Sequence, residues 1–222
     1  MNELLFFLQI LFAFTSTYLF FRQGKEALFV WLGILSLLAN LFVSKQIVLF
    51  GMDVTASDVY AVTLILTLNL LQEYWGKEQA RKGGMIAVVA QIAFLLFAEV
   101  HLRFQPNQHD ASQTAYQTIL GVYPRLLAAS CMTLFIVQLF DRWFFAILNR
   151  WMEGTAFRWR NAIALSVSQF LDTALFSLLG LYGIVGNILD VFLMSFAIKV
   201  ILISTLPFLT IWIKPKAYDV SL

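Results

Sequence analysis

Two short runs, Gln138-Leu139-Phe140-Asp141 and Gln169-Phe170-Leu171-Asp172, each set an amide and a carboxylate three residues apart inside apolar stretches. That spacing puts both groups on one face of a helix, so each run offers a carboxylate acceptor beside an amide that can donate and accept. Arg125 and Ser130 precede the first run, and Arg160 and Ser166 the second, which reads as a weak internal repeat. Other apolar stretches carry Asn40 and Lys45; Asn69 and Glu73, one helical turn apart; and Asn187, Asp190 and Lys199. A charge at the centre of a bilayer costs about 2.5–3.5 kcal/mol on insertion scales, so such residues are candidates for a functional site. A plainer reading has them pairing with one another to join helices, or reaching the headgroups from span ends. Glu73 and Asp141 suit that reading best, because Trp75-Gly76-Lys77 and Arg142 mark a boundary beside them. Asp172 and Lys199 lie near the middle of their stretches; Asp172 is expected to line a polar cavity, with Lys199 as its partner or as a structural counter-charge.

The elements that must position these groups are apolar segments at approximately residues 4–21, 27–50, 58–75, 84–102, 118–148, 161–181 and 184–213. Each is near the roughly 20 residues that a helix needs to cross about 30 Å of hydrocarbon. The first segment lacks the basic start and small-residue cleavage motif of a signal peptide and is read as a retained span. Lys and Arg set orientation, because they stay cytoplasmic near span ends. Arg22 and Lys25, then Lys77, Arg81 and Lys82, then Arg142, Arg150, Arg158 and Arg160, and finally Lys214 and Lys216 fall on one side; the opposite loops hold Arg103. The N-terminus is therefore expected outside and the C-terminus in the cytoplasm, with a polar outer loop from Arg103 to about Thr118.

Composition agrees. Of 222 residues, 60% are hydrophobic and 13% charged, against about 45–50% and 25% in soluble domains, an excess that one soluble core cannot hide. The expectation is an all-α, polytopic membrane protein of about seven helices forming one domain over residues 1–222. A net charge of +2 without a basic stripe excludes a nucleic-acid partner. Cys131, alone in an apolar stretch, is read as structural, and His101 and His109 lack the carboxylates or cysteines of a metal site. No metal or cofactor is expected. Pro124 and Pro207 could kink their helices, and the small residues Ala162, Ser166 and Ser168 suit close helix packing. Motifs H-E-x-x-H, G-x-S-x-G and G-x-x-x-x-G-K-[ST] are absent. Asp141 and Asp172 could form an acid pair of the aspartyl-enzyme kind, but their flanks, Phe140-Asp141-Arg142 and Leu171-Asp172-Thr173, lack the contexts of intramembrane proteases.

Asn40 is followed in order by Asn69-Leu70-Leu71-Gln72-Glu73-Tyr74-Trp75-Gly76 with Ala80-Arg81, then Pro124-Arg125-Leu126-Leu127-Ala128-Ala129-Ser130 leading to Gln138 and Asp141. Ser166, Gln169, Asp172-Thr173 and Phe176 come next, and Lys199 and Pro207 close the set. From about Leu28 to Trp212 this ordered set resembles the queuosine precursor transporter family, a branch of the vitamin uptake transporters. The resemblance implies a core of about six helices over residues 27–213, like the binding subunits of energy-coupling-factor importers, with residues 1–26 as an additional span. Asn69 stands where members usually have Asp. It implies uptake of deazaguanine bases, queuosine precursors or queuine, across the inner membrane of a bacterium. It also implies a substrate site drawn from Asn40, Asn69, Glu73, Arg125, Gln138, Asp141, Gln169, Asp172, Phe176 and Lys199.

A guanine-like edge presents an N–H beside an amino group, which a carboxylate accepts as a pair, while Gln or Asn serves the ring carbonyl. Arg125 and Lys199 would keep buried acids charged, and aromatic rings would stack on the base. The expected partners are thus a purine-like small molecule and the lipid bilayer, with a homo-oligomer open. Two alternatives stand beside this one: a binding subunit energised by a separate ATPase module, and the intramembrane aspartyl enzyme.

Overall fold

The computed structural model describes residues 1–151 and 157–212, apart from some side chains within the helices at 142–165 and beyond 201. Helix α1 (Asn2–Gln23) turns at Gly24 into α2 (Lys25–Phe42). After a two-stranded hairpin, α3 (Asp58–Trp75) turns at Gly76 into α4 (Lys77–Leu102). Gly76 has φ 87, a left-handed conformation that a side chain would strain. Short α5 (Gln113–Leu120) then leads to α6 (Tyr123–Trp151), α7 (Phe157–Phe176) with a π-helical turn at Ser177–Leu181, and α8 (Ile188–Trp212). Four stretches, Asn2–Gln23, Lys25–Phe42, Lys77–Leu102 and Gln113–Leu148, are long and apolar enough to cross a membrane. The protein is a polytopic helical membrane protein. Large apolar side chains such as Phe7, Phe12, Val89, Phe97 and Phe135 are exposed on the helices, as lipid-facing surfaces require.

The core is built from three clusters. Leu28, Leu32, Leu66, Leu70 and Leu71 join α2 to α3, with Ala80 and Ala87 of α4 closing over them. Gly83 sits where a Cβ would come within 2.7 Å of Leu32 and 3.0 Å of Leu71, so its missing side chain sets how closely α4 approaches. Val43, Leu126, Leu181, Val185 and Val191 tie α6 to the π turn and the start of α8. Leu49, Val54, Val62, Met194 and Ile198 seat the hairpin on α3 and α8.

Several expectations are corrected. The segment drawn as one span over 27–50 ends as a helix at Phe42, and Lys45 is exposed beyond it rather than inside it. The rest of that segment enters a hairpin of antiparallel strands β1 (Gln46–Leu49) and β2 (Met52–Thr55), paired Gln46 to Thr55 and Leu49 to Met52. Phe50 and Gly51, both with positive φ, make a two-residue turn whose twist suits a hairpin. Among the described residues an otherwise helical architecture thus carries one small sheet. The Gln46 amide clamps it, donating to the Ile184 carbonyl at 3.3 Å and accepting from the Gly186 N–H at 2.7 Å.

The segment drawn over 118–148 is broken at Gly121-Val122, and part of the expected outer loop is helix α5. Before α5, Ser112 donates its hydroxyl and backbone N–H to Asp110, which holds that carboxyl below its ordinary range. Pro124 lies in the first turn of α6, where a missing N–H goes unneeded; it starts the helix instead of kinking it. The last segment begins at Ile188 instead of residue 184. Asn187 caps it by accepting the N–H groups of Leu189 and Asp190, and Asp190 accepts the Asp53 N–H of the hairpin.

Pro207 falls inside α8, and its side chain, like those of Arg142, Arg160 and Ala162, lies outside the described set. Ser166 is exposed and Ser168 buried. Cys131 is exposed on α6.

Candidate functional site

Lys199 of α8 donates to Asp172 Oδ2 of α7 at 2.6 Å and to Thr173 Oγ1 at 3.0 Å. The lysine side chain is 10% exposed and the carboxylate 32%. A long cationic side chain is held this way because α7 and α8 pack side by side, placing residue 172 opposite residue 199. The Ser195 hydroxyl, one turn before Lys199 and so on the same helical face, donates to Asp58 Oδ1 of α3 at 2.7 Å. Two carboxylates and one ammonium therefore link α3, α7 and α8.

A second group sits between α2 and α4, where Asn40 donates its side-chain N–H to the Gln91 Oε1 at 2.7 Å, both buried. Tyr123 of α6 is fully buried nearby, its ring 5.0 Å from Phe94. At the α6–α7 contact Ser168 donates its hydroxyl to Asp141, and Asp141 lies close enough to feel the charge of Asp172. The Gln169 Oε1 atom, three residues before Asp172, is buried without a partner among the described residues.

The expected site residues are thus only partly brought together. Asp172 and Lys199 form a pair; Gln169 lies one turn before Asp172 on α7, and Asp141 borders them from α6. Asn40 belongs to the separate amide pair with Gln91. Asn69, Glu73 and Gln138 are exposed and stand apart from the ion pair. Arg125 does not keep an acid charged: its guanidinium donates to the Leu179 carbonyl at 3.0 Å and the Tyr182 carbonyl at 2.7 Å. These carbonyls surround a π turn, whose irregular pattern leaves acceptors to be satisfied. Phe176 packs on the cluster around Leu126 and Leu181, and Gly180 lies against its ring. A cleft of about 260 Å³ between α1, α2 and α3, bordered by Phe12, Trp31 and Tyr60, includes none of the expected site residues.

Asp58, Ser195 and Gln91 do not stand out in the sequence, and Thr173 enters only beside Asp172 in the family resemblance. Asp58 reads there as an ordinary acidic residue at a helix start, which the helix dipole favours; the signal that could have found it is the Ser195–Lys199 spacing on α8. His101 contacts the rings of Phe104 and Tyr116, and His109 lies in the outer loop beside Gln108. Among the described residues no three His, Cys, Asp or Glu side chains gather as metal ligands.

The profile of the family described as "Putative vitamin uptake transporter" matches residues 55–213. The chain is 31% identical over 190 residues to the "Probable queuosine precursor transporter" of Bacillus subtilis (strain 168), covering 84% of this chain and 83% of that protein. No solved structure matches.

Proposed function

The chain belongs to the vitamin uptake transporter family, a multi-pass membrane transporter and not an enzyme, and we propose that it carries queuosine precursors, deazaguanine bases or queuine, into the bacterial cytoplasm. Support for the substrate class comes from the name of the Bacillus subtilis relative together with the chemistry of one group, the Lys199–Asp172 pair beside Gln169. The Lys199 ammonium occupies this carboxylate. A guanine-like edge offers two parallel N–H donors that compete for the same two oxygens, and charge-assisted hydrogen bonds of this kind are about twice as strong as neutral ones. The Gln169 amide, half-buried, then meets the ring carbonyl with its N–H. Asp141 and the Ser168 hydroxyl border the pair, while Asn40, Asn69, Glu73 and Gln138 are assigned to the walls along which the base moves.

The protein would lie in the inner membrane with its N-terminus outside, as the basic residues after α1 and α3 favour. Binding of queuine to the purified protein, followed by quenching of tryptophan fluorescence, tests the site. Asp172→Asn, which keeps size and removes the charge, is expected to weaken binding roughly tenfold or more, as loss of a charged hydrogen bond worth about 1.5–3 kcal/mol requires. Unchanged affinity would remove Asp172 from the site.

A further inference from the structure

Between α3, α7 and α8 one cation serves two carboxylates. Asp58 is 8% exposed; its Oδ1 accepts the Ser195 hydroxyl, and its Oδ2 has no hydrogen-bond partner among the described residues. Lys199 makes its close contacts with Asp172 and Thr173, yet its field reaches Asp58. Helices α1, α2, α4 and α8 pack on α3, and among their described charged groups Lys199 is the one that acts on this carboxylate. Fully ionised, the three groups sum to one negative charge, which the burial of Asp58 and Lys199 penalises. The dipole at the start of α3 offsets only a small part of that penalty. A single proton closes the balance. Asp172 has the direct ammonium contact and the more exposed side chain, so the proton belongs on Asp58.

We propose that Asp58 is a proton-carrying site: it is a neutral carboxylic acid in the ligand-free protein, and Lys199 alternates between Asp172 and Asp58. When the ammonium turns to Asp58, the O–H bond of Asp58 breaks, its electron pair stays on the carboxylate, and the proton leaves to water. Asp172 is thereby freed. That this freed carboxylate receives the solute, so that solute and proton movements are coupled, rests on the functional reading above; the protonation of Asp58 does not.

Infrared difference spectroscopy of the ligand-free protein in lipid, at neutral pH, reads the carbonyl stretch of a protonated carboxyl directly. The wild type is expected to show such a band, Asp58→Asn to lose it, and Ser195→Ala, which removes a hydrogen bond to that group, to shift it to higher wavenumber. Asp172→Asn frees Lys199 to pair with Asp58 and is expected to abolish the band as well; adding Lys199→Gln to that variant should restore it. No band in the wild type, or a wild-type carboxyl band that Asp58→Asn leaves undiminished, would overturn the proton site. A band that persists in Asp172→Asn would overturn the alternation of Lys199. None of these readings involves a substrate, so they stand apart from the outcome of any queuine experiment.

Discussion

At the residue scale, the pair Lys199–Asp172 is the contact whose loss should be felt most. Replacing Lys199 leaves the Asp172 charge without its mate, which costs about 3–5 kcal/mol where both are fully buried. With a third of the Asp172 side chain exposed, Lys199→Met is expected to cost less, about 1–3 kcal/mol. The double variant Lys199→Met/Asp172→Asn should regain part of the loss, because no unpaired charge remains. Thermal melting of the purified proteins checks both. Single variants that melt like the wild type would mean that the pair does not hold α7 to α8. The candidate pair is legible in the sequence, since both residues lie in mid-segment among Leu, Ile and Phe, where a charge needs a reason. Asp58 is not, because a carboxylate at a helix start looks ordinary until the fold brings Ser195 across to it. The expectation for Arg125 fails for a related reason: a guanidinium in an apolar stretch suggests an acid, but here a π turn supplies carbonyls.

At the element scale, two devices set the packing around the site. Gly83 lets α4 lie against Leu32 and Leu71, and Gly83→Ala should force these side chains apart at a cost of about 1–3 kcal/mol, lowering the melting temperature without changing charge. The β hairpin is fixed to the loop before α8 by the Gln46 amide. Gln46→Ala is expected to speed hydrogen exchange across residues 46–55 and 184–186 while α2 and α3 stay protected; uniform exchange throughout would contradict this local role. Apolar run and length locate α1, α3 and α7 closely, whereas α4 begins at Lys77, seven residues before the expected 84. They cannot separate α2 from the hairpin, because Gln46–Leu49 is as apolar as the helix before it, and only the Phe50-Gly51 turn marks the change. The break at Gly121-Val122 is hidden likewise by apolar residues on both sides.

At the scale of the whole molecule, helices that expose their apolar side chains and bury their polar ones against each other make sense only in lipid. The proposed sidedness has a direct check. Single cysteines introduced into a Cys131→Ser background are expected to react with an impermeant reagent from outside at Asn107 and Gly51, and to be protected in intact cells at Gln23 and Gln79; the reverse pattern would invert the topology. The central claim is transport of queuosine precursors through a site that contains Asp172. Uptake of radiolabelled queuine and its smaller precursor bases by queuosine-deficient cells, with wild-type protein and Asp172→Ala at equal membrane levels, tests it most directly. The account predicts saturable uptake by the wild type and at least a tenfold loss in the variant, matching the loss of a charged hydrogen bond; absence of uptake for every deazaguanine, or full uptake by Asp172→Ala, would contradict it.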